Sequence, residues 1–124
     1  MTQAYYYNCT VVKIVDGDTI DVDIDLGFSV TLKKQRLRLA GIDTPESRTR
    51  NKAEKVLGLA AKERVIELVG GVSGKILIQS LGTGKYGRIL AIPLTLDGVN
   101  ICATLINEGH AVEYWGGKKT KKWA

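Results

Sequence analysis

A handful of side chains in this sequence could act together as a reactive site. Asp18 and Asp43 each lie in a short turn-forming motif, Asp16-Gly17-Asp18-Thr19 and Asp43-Thr44-Pro45-Glu46. Two carboxylates, with a few carbonyls and waters, suit a hard cation such as calcium or magnesium. Pro45 stiffens the second turn. Glu46 follows it, placed to act on a water beside the metal. Arg38 and Arg88 supply guanidinium forks that match phosphate oxygens and stay charged at all working pH. Metal, base and arginines together are the needs of phosphodiester hydrolysis: a polarised phosphoryl group, an activated water and cations for the developing charge. Taken singly, each residue has a plainer role. Asp18 alone is a turn-capping aspartate, and Arg38 alone is an outward strand charge paired with an acid.

The elements around these residues are legible in the pattern. Tyr5 to Val15 is rich in β-formers and reads as a strand ending at the Asp16-Gly17 turn. From Asp18 to Leu26 the residues alternate, with Ile20, Val22, Ile24 and Leu26 on one face and Asp21, Asp23 and Asp25 on the other. Asp18 is in phase with the apolar set, so it points inward at the mouth of a barrel, where a carboxylate is costly unless paired or metal-bound. Val30 to Ile42 reads as a third strand stopped by Thr44-Pro45. Consecutive strands are usually neighbours, which brings the end of the third beside the start of the second and Asp43 to Asp18.

A helix is predicted from Arg50 to Val69, with Ala53, Val56, Leu57, Ala60, Ala61, Val65 and Leu68 at helical spacing and Gly70-Gly71 as its C-cap. Two more strands, Lys75 to Ser80 and Arg88 to Leu96, flank a Gly-rich loop. A short helix with Ile101, Leu105 and Ile106 closes at Gly109, and Ala111 to Trp115 is a last extended piece. Three strands, a helix and two strands fit an α+β fold that is mainly β: a five-stranded OB-fold Greek-key barrel with two helices packed on it.

Length and composition set the frame. The 124 residues fit one domain, expected over residues 1–117, with a basic tail at 118–124. Hydrophobic residues make up 44% and charged residues 25%, an ordinary globular balance. Lys plus Arg is 18 against 13 for Asp plus Glu, a net +5 that favours a polyanionic partner. Part of that charge, Lys118, Lys119, Lys121 and Lys122, lies between Trp115 and Trp123; it is either a solvated end or an arm for phosphate contacts. No apolar run can cross a bilayer and no signal peptide is visible, so an intracellular rather than secreted chain is expected, working without a membrane and as a monomer. Cys9 and Cys102 lack metal-ligand spacing and read as reduced, buried thiols.

Three patterns are decoys. Asp21-Val-Asp-Ile-Asp-Leu-Gly27 has its glycine one place late for a calcium helix-loop-helix, and Leu32 stands where the bidentate Glu belongs. Gly74-Lys75 and Gly84-Lys85 lack the earlier glycine and the following hydroxyl of a phosphate-binding loop. His110, the only histidine, is assigned no role.

The set Asp16-Gly17-Asp18-Thr19, Arg38, Asp43-Thr44-Pro45-Glu46 and Lys85-Tyr86-Gly87-Arg88, in that order, resembles the staphylococcal nuclease family from about Val11 to Gly109. The resemblance implies a calcium-dependent nuclease hydrolysing DNA and RNA, with single strands preferred and 3′-phosphate products. It makes Asp18 and Asp43 calcium ligands through their carboxylates and Thr44 a ligand through its carbonyl. Asp16 becomes a carboxylate standing behind the metal. Glu46 matches the general base, Arg38 and Arg88 the phosphate-clamping arginines, and Lys85 and Tyr86 positions near the nucleic-acid phosphate. The aromatic packed by the nucleotide base is Tyr114 or Trp115. The rival expectation is a non-catalytic nucleic-acid- or protein-binding module on the same barrel.

Overall fold

The computed structural model describes residues 5–83 and 87–115. Strands β1 (Tyr5–Asp16), β2 (Thr19–Gly27) and β3 (Val30–Leu39) form an antiparallel meander. After them come β4 (Ile42–Asp43), helix α1 (Lys52–Val69), β5 (Lys75–Thr83), β6 (Ile89–Leu94), helix α2 (Ile101–Asn107) and β7 (Val112–Glu113). The sheet closes in the order β1-β2-β3-β6-β5, with β5 antiparallel to β1 and β6 parallel to β3. This is the five-stranded barrel with helices that the alternation predicted.

The alternation also decides what is inside. Ile20, Val22 and Ile24 of β2 are buried, with Val11 of β1, Leu37 and Leu39 of β3, and Ile76 and Ile78 of β5. Each such side chain withdrawn from water contributes about 1.5–3 kcal/mol before the entropy of ordering it. Of the aspartates out of phase, Asp21 and Asp23 pair across to β3, while Asp25 is exposed and accepts from Gly27 N–H of its own strand. Arg36 donates from Nε to Asp21 Oδ1 at 2.8 Å, and Lys33 lies 3.5 Å from Asp23.

Two expectations need correction. The third strand does not run unbroken to Ile42. It stops at Leu39, and Gly41 takes a φ of 77°, a left-handed turn that glycine enters without steric cost. The chain then re-enters as β4, which pairs not with the barrel but with β7, Asp43 opposite Val112. The helix starts at Lys52 rather than Arg50, because Asn51 caps it: Glu54 N–H donates to Asn51 Oδ1 at 3.1 Å. Its buried stripe is Gly58, Ala61, Val65 and Val69, while Val56 is 67% exposed and Leu57 41%. The helix packs through small residues, and that lets it come close to the turns that carry the acidic motifs.

Candidate active site

Gly17 explains why the two acidic motifs can meet. A Cβ at Gly17 would stand 2.9 Å from both Ala61 Cβ and Thr44 Oγ1. With hydrogen in that place, the Asp16–Asp18 turn lies directly against Thr44 and α1. Thr44 N–H then donates to Asp18 Oδ2 at 3.3 Å. Asp16 Oδ1 accepts from Gly17 N–H and from Ser47 N–H, each at 3.2 Å. Each motif therefore supplies donors or acceptors to the other, and Asp43, the residue before Thr44, is carried in with only 5% of its surface exposed.

Arg38 sits inside this junction. Its Nη1 is 3.6 Å from Asp18 Oδ2 and donates to the carbonyls of Asp18 and Leu39, while Nη2 donates to the Ile42 carbonyl at 2.9 Å. It is thus more than an outward strand charge, because it ties the start of β2 to β4. The parallel register sets Arg38 opposite Leu90 of β6, and Arg88 directly precedes that strand. Arg88 is half-buried. Cys102 of α2 lies beneath the junction. Burial pushes its thiol up to about 12, with the opposing fields of Arg38 and Asp18 as smaller influences.

The donor set suits a hard cation. Asp18 and Asp43 are oxygen donors on adjoining turns, and the buried Thr44 Oγ1, with no hydrogen-bond partner, faces Gly17 in the first of them. Among the described residues no three His, Cys, Asp or Glu side chains form a ready-made cage. Two carboxylates and a carbonyl would leave the remaining positions of a six- to eight-coordinate ion to water and substrate oxygens.

Glu46 is exposed at the rim of the junction, and its main chain is held by helix α1. Its N–H donates to Glu54 Oε2 at 3.0 Å. Tyr114 and Trp115 leave β7 beside β4: Tyr114 N–H donates to the Gly41 carbonyl at 2.9 Å, and the Trp115 indole covers the Gly41 backbone. Both aromatics therefore flank the Asp43 segment. Lys85, Tyr86 and the lysine tail lie outside the described residues. Glu54, Ser47 and Gly58 were not anticipated. Asn51-Lys-Ala-Glu54 carries the signature of a helix capping box, which could have marked Glu54.

A family model described as "Staphylococcal nuclease homologue" matches residues 36–123, which include Arg38, Asp43 to Glu46 and Arg88. This chain belongs to the staphylococcal nuclease family. Among its relatives are Endonuclease YncB of Bacillus subtilis, 37% identical over 107 residues, and Micrococcal nuclease of Shigella flexneri, 34% identical over 119 residues. The alignments cover 84% and 89% of this chain but 46% and 60% of those proteins, so the chain spans about half the length of the relatives it matches. Thermonuclease of Staphylococcus hyicus is 32% identical over 81 residues, 65% of this chain and 44% of that protein. For this member of the staphylococcal nuclease family, the junction of the two acidic motifs is the candidate active site.

Proposed function

We propose that this chain is a calcium-dependent nuclease that hydrolyses phosphodiester bonds in DNA and RNA, prefers single strands, acts as a monomer and leaves 3′-phosphates. The observation that carries the proposal is the junction itself: Asp18, Arg38 and the Asp43–Glu46 turn are knit together by the Thr44-to-Asp18 hydrogen bond and the Arg38 contacts.

In this reading Asp18 and Asp43 hold the cation through their carboxylates and Thr44 through its carbonyl, with Asp16 fixing the turn behind them. Calcium bound there supplies the positive charge that polarises the phosphoryl group. Glu46 accepts the proton of the attacking water. Arg38 and Arg88 stabilise the charge that develops on the phosphoryl oxygens. Arginine is a poor acid at neutral pH, so neither protonates the leaving oxygen. Lys85 and Tyr86 contact the substrate phosphate, and Tyr114 or Trp115 packs by the base. A module that only binds nucleic acid has no need of the carboxylates, and here the whole set is kept.

The test is incubation of the protein with labelled single-stranded DNA, duplex DNA and RNA, with calcium or with a chelator, followed by analysis of the product ends. Cleavage only with calcium, fastest on single strands and leaving 3′-phosphates, is the expected result. Absence of cleavage sinks the nuclease reading. Metal-dependent melting without cleavage would identify a calcium-stabilised domain instead.

A further inference from the structure

In an ordinary capping box the glutamate at the third helical position reaches back to the N–H of its own N-cap residue. Helix α1 has the required sequence, Asn51 as N-cap and Glu54 three residues on, and half of the box is made: Asn51 Oδ1 accepts from Glu54 N–H. The other half is diverted. Asn51 N–H donates to Thr49 Oγ1 at 3.2 Å, and Glu54 Oε2 instead accepts from Glu46 N–H at 3.0 Å. The helix thus spends its capping carboxylate on the backbone of the candidate base.

The same residue is fixed from two further sides. The next peptide N–H, of Ser47, donates to Asp16 Oδ1. The Glu46 carbonyl lies against Gly58, where any Cβ would collide with it, so α1 approaches that peptide as closely as a helix can. Glu46 keeps an exposed side chain on a main chain held at its N–H, its carbonyl and the following N–H. Such a base needs a fixed origin, because a displacement of about 1 Å in a reacting group costs up to ~100-fold in rate.

We propose that Glu54 is a positioning residue for Glu46: its carboxylate, diverted from the helix cap, sets where the Glu46 side chain stands. The proposal rests on the nuclease reading for its consequence in rate, and on the hydrogen bond alone for its geometry. The competing role for an acid in the first turn of a helix is charge against the helix dipole. The two roles respond oppositely to two mild substitutions. Glu54→Gln keeps an oxygen acceptor at full reach and loses the charge. Glu54→Asp keeps the charge and withdraws the acceptor by one methylene, about 1.5 Å.

The experiment compares the full chain with these two variants by kcat and KM on single-stranded DNA with calcium, and by hydrogen exchange of the Glu46 amide. The expected result is a kcat within ~3-fold of the parent for Glu54→Gln and at least ~10-fold lower for Glu54→Asp, with KM steady in both. The Glu46 amide stays protected in Glu54→Gln and exchanges faster in Glu54→Asp. The reverse order, or parental kcat and protection in Glu54→Asp, overturns the proposal. If the parent does not cleave, the nuclease reading falls and the amide alone decides. Protection kept by Gln and lost by Asp then supports positioning, and any other pattern overturns it.

Discussion

Thr44 N–H donates to Asp18 Oδ2 across 26 residues of chain, joining the turn before β2 to the turn after β4. The bond leaves Asp18 Oδ1 to accept from the Thr19 hydroxyl at 3.0 Å and holds the carboxylate against the turn that follows Asp43. A cation held there binds only the folded chain, so it stabilises by mass action, about 2.7 kcal/mol at a concentration 100 times its Kd. Calcium is expected to raise the Tm of the parent and to leave Asp18→Asn, which keeps the acceptor for Thr44 but loses the charge, nearly unmoved. Equal shifts in both proteins would remove Asp18 from the metal site.

Gly17 permits that contact. In Gly17→Ala the new methyl group meets Thr44 Oγ1 and Ala61 Cβ at 2.9 Å. The turn must lift off, at a cost of about 1–3 kcal/mol. Urea denaturation is expected to show that loss, and cleavage is expected to fall further than stability alone explains. A variant of parental stability would mean that the turn has slack.

Arg64 donates from Nε and Nη2 to Glu108 at 2.7 and 2.9 Å, tying α1 to the end of α2. The hydrogen bonds from Arg64 hold the Glu108 carboxyl below its ordinary value of 4.5. A carboxylate lowered on folding contributes stability above its unfolded pKa and loses it as pH falls through the folded value. Glu108→Gln is therefore expected to melt slightly below the parent at pH 7, the pair being exposed, with the gap closing below about pH 4.5. A gap that stays constant down to pH 3 would contradict this assignment.

Burial pushes the thiols of Cys9 and Cys102 up to about 12. At pH 8 the native protein is expected to react with a thiol-specific disulfide reagent only as fast as it opens, and both thiols are expected to titrate at once in denaturant. Rapid reaction of either in the native protein would show that α2 or β1 opens readily.

The barrel was legible because a single period governed it: the β2 alternation put Ile20, Val22 and Ile24 inside and the aspartates outside. Strand order also placed the turn after Asp43 near Asp18, where the contact is Thr44 N–H to the Asp18 carboxylate. The helix misled for a physical reason. Hydrophobic spacing selected Ala61 and Val65, which are buried, but also Val56 and Leu57, which are exposed; close approach to the Glu46 peptide demanded Gly58, and steric demand on a glycine leaves no mark in a hydrophobic pattern. Arg38 was found for its charge, while its bonds to the Leu39 and Ile42 carbonyls depend on the break at Gly41 that the strand pattern hid. Glu54 announced itself as a capping glutamate, and only the fold revealed which N–H it serves.

The most direct test of the junction as a hydrolytic site is the cleavage rate of a labelled single-stranded oligonucleotide at saturating calcium, measured for the parent, Glu46→Ser and Arg88→Gly. The predicted result is cleavage by the parent and a loss of at least ~100-fold in each variant, as for other acid–base and charge-stabilising groups. Cleavage at equal rates in all three, or none in the parent, would contradict it.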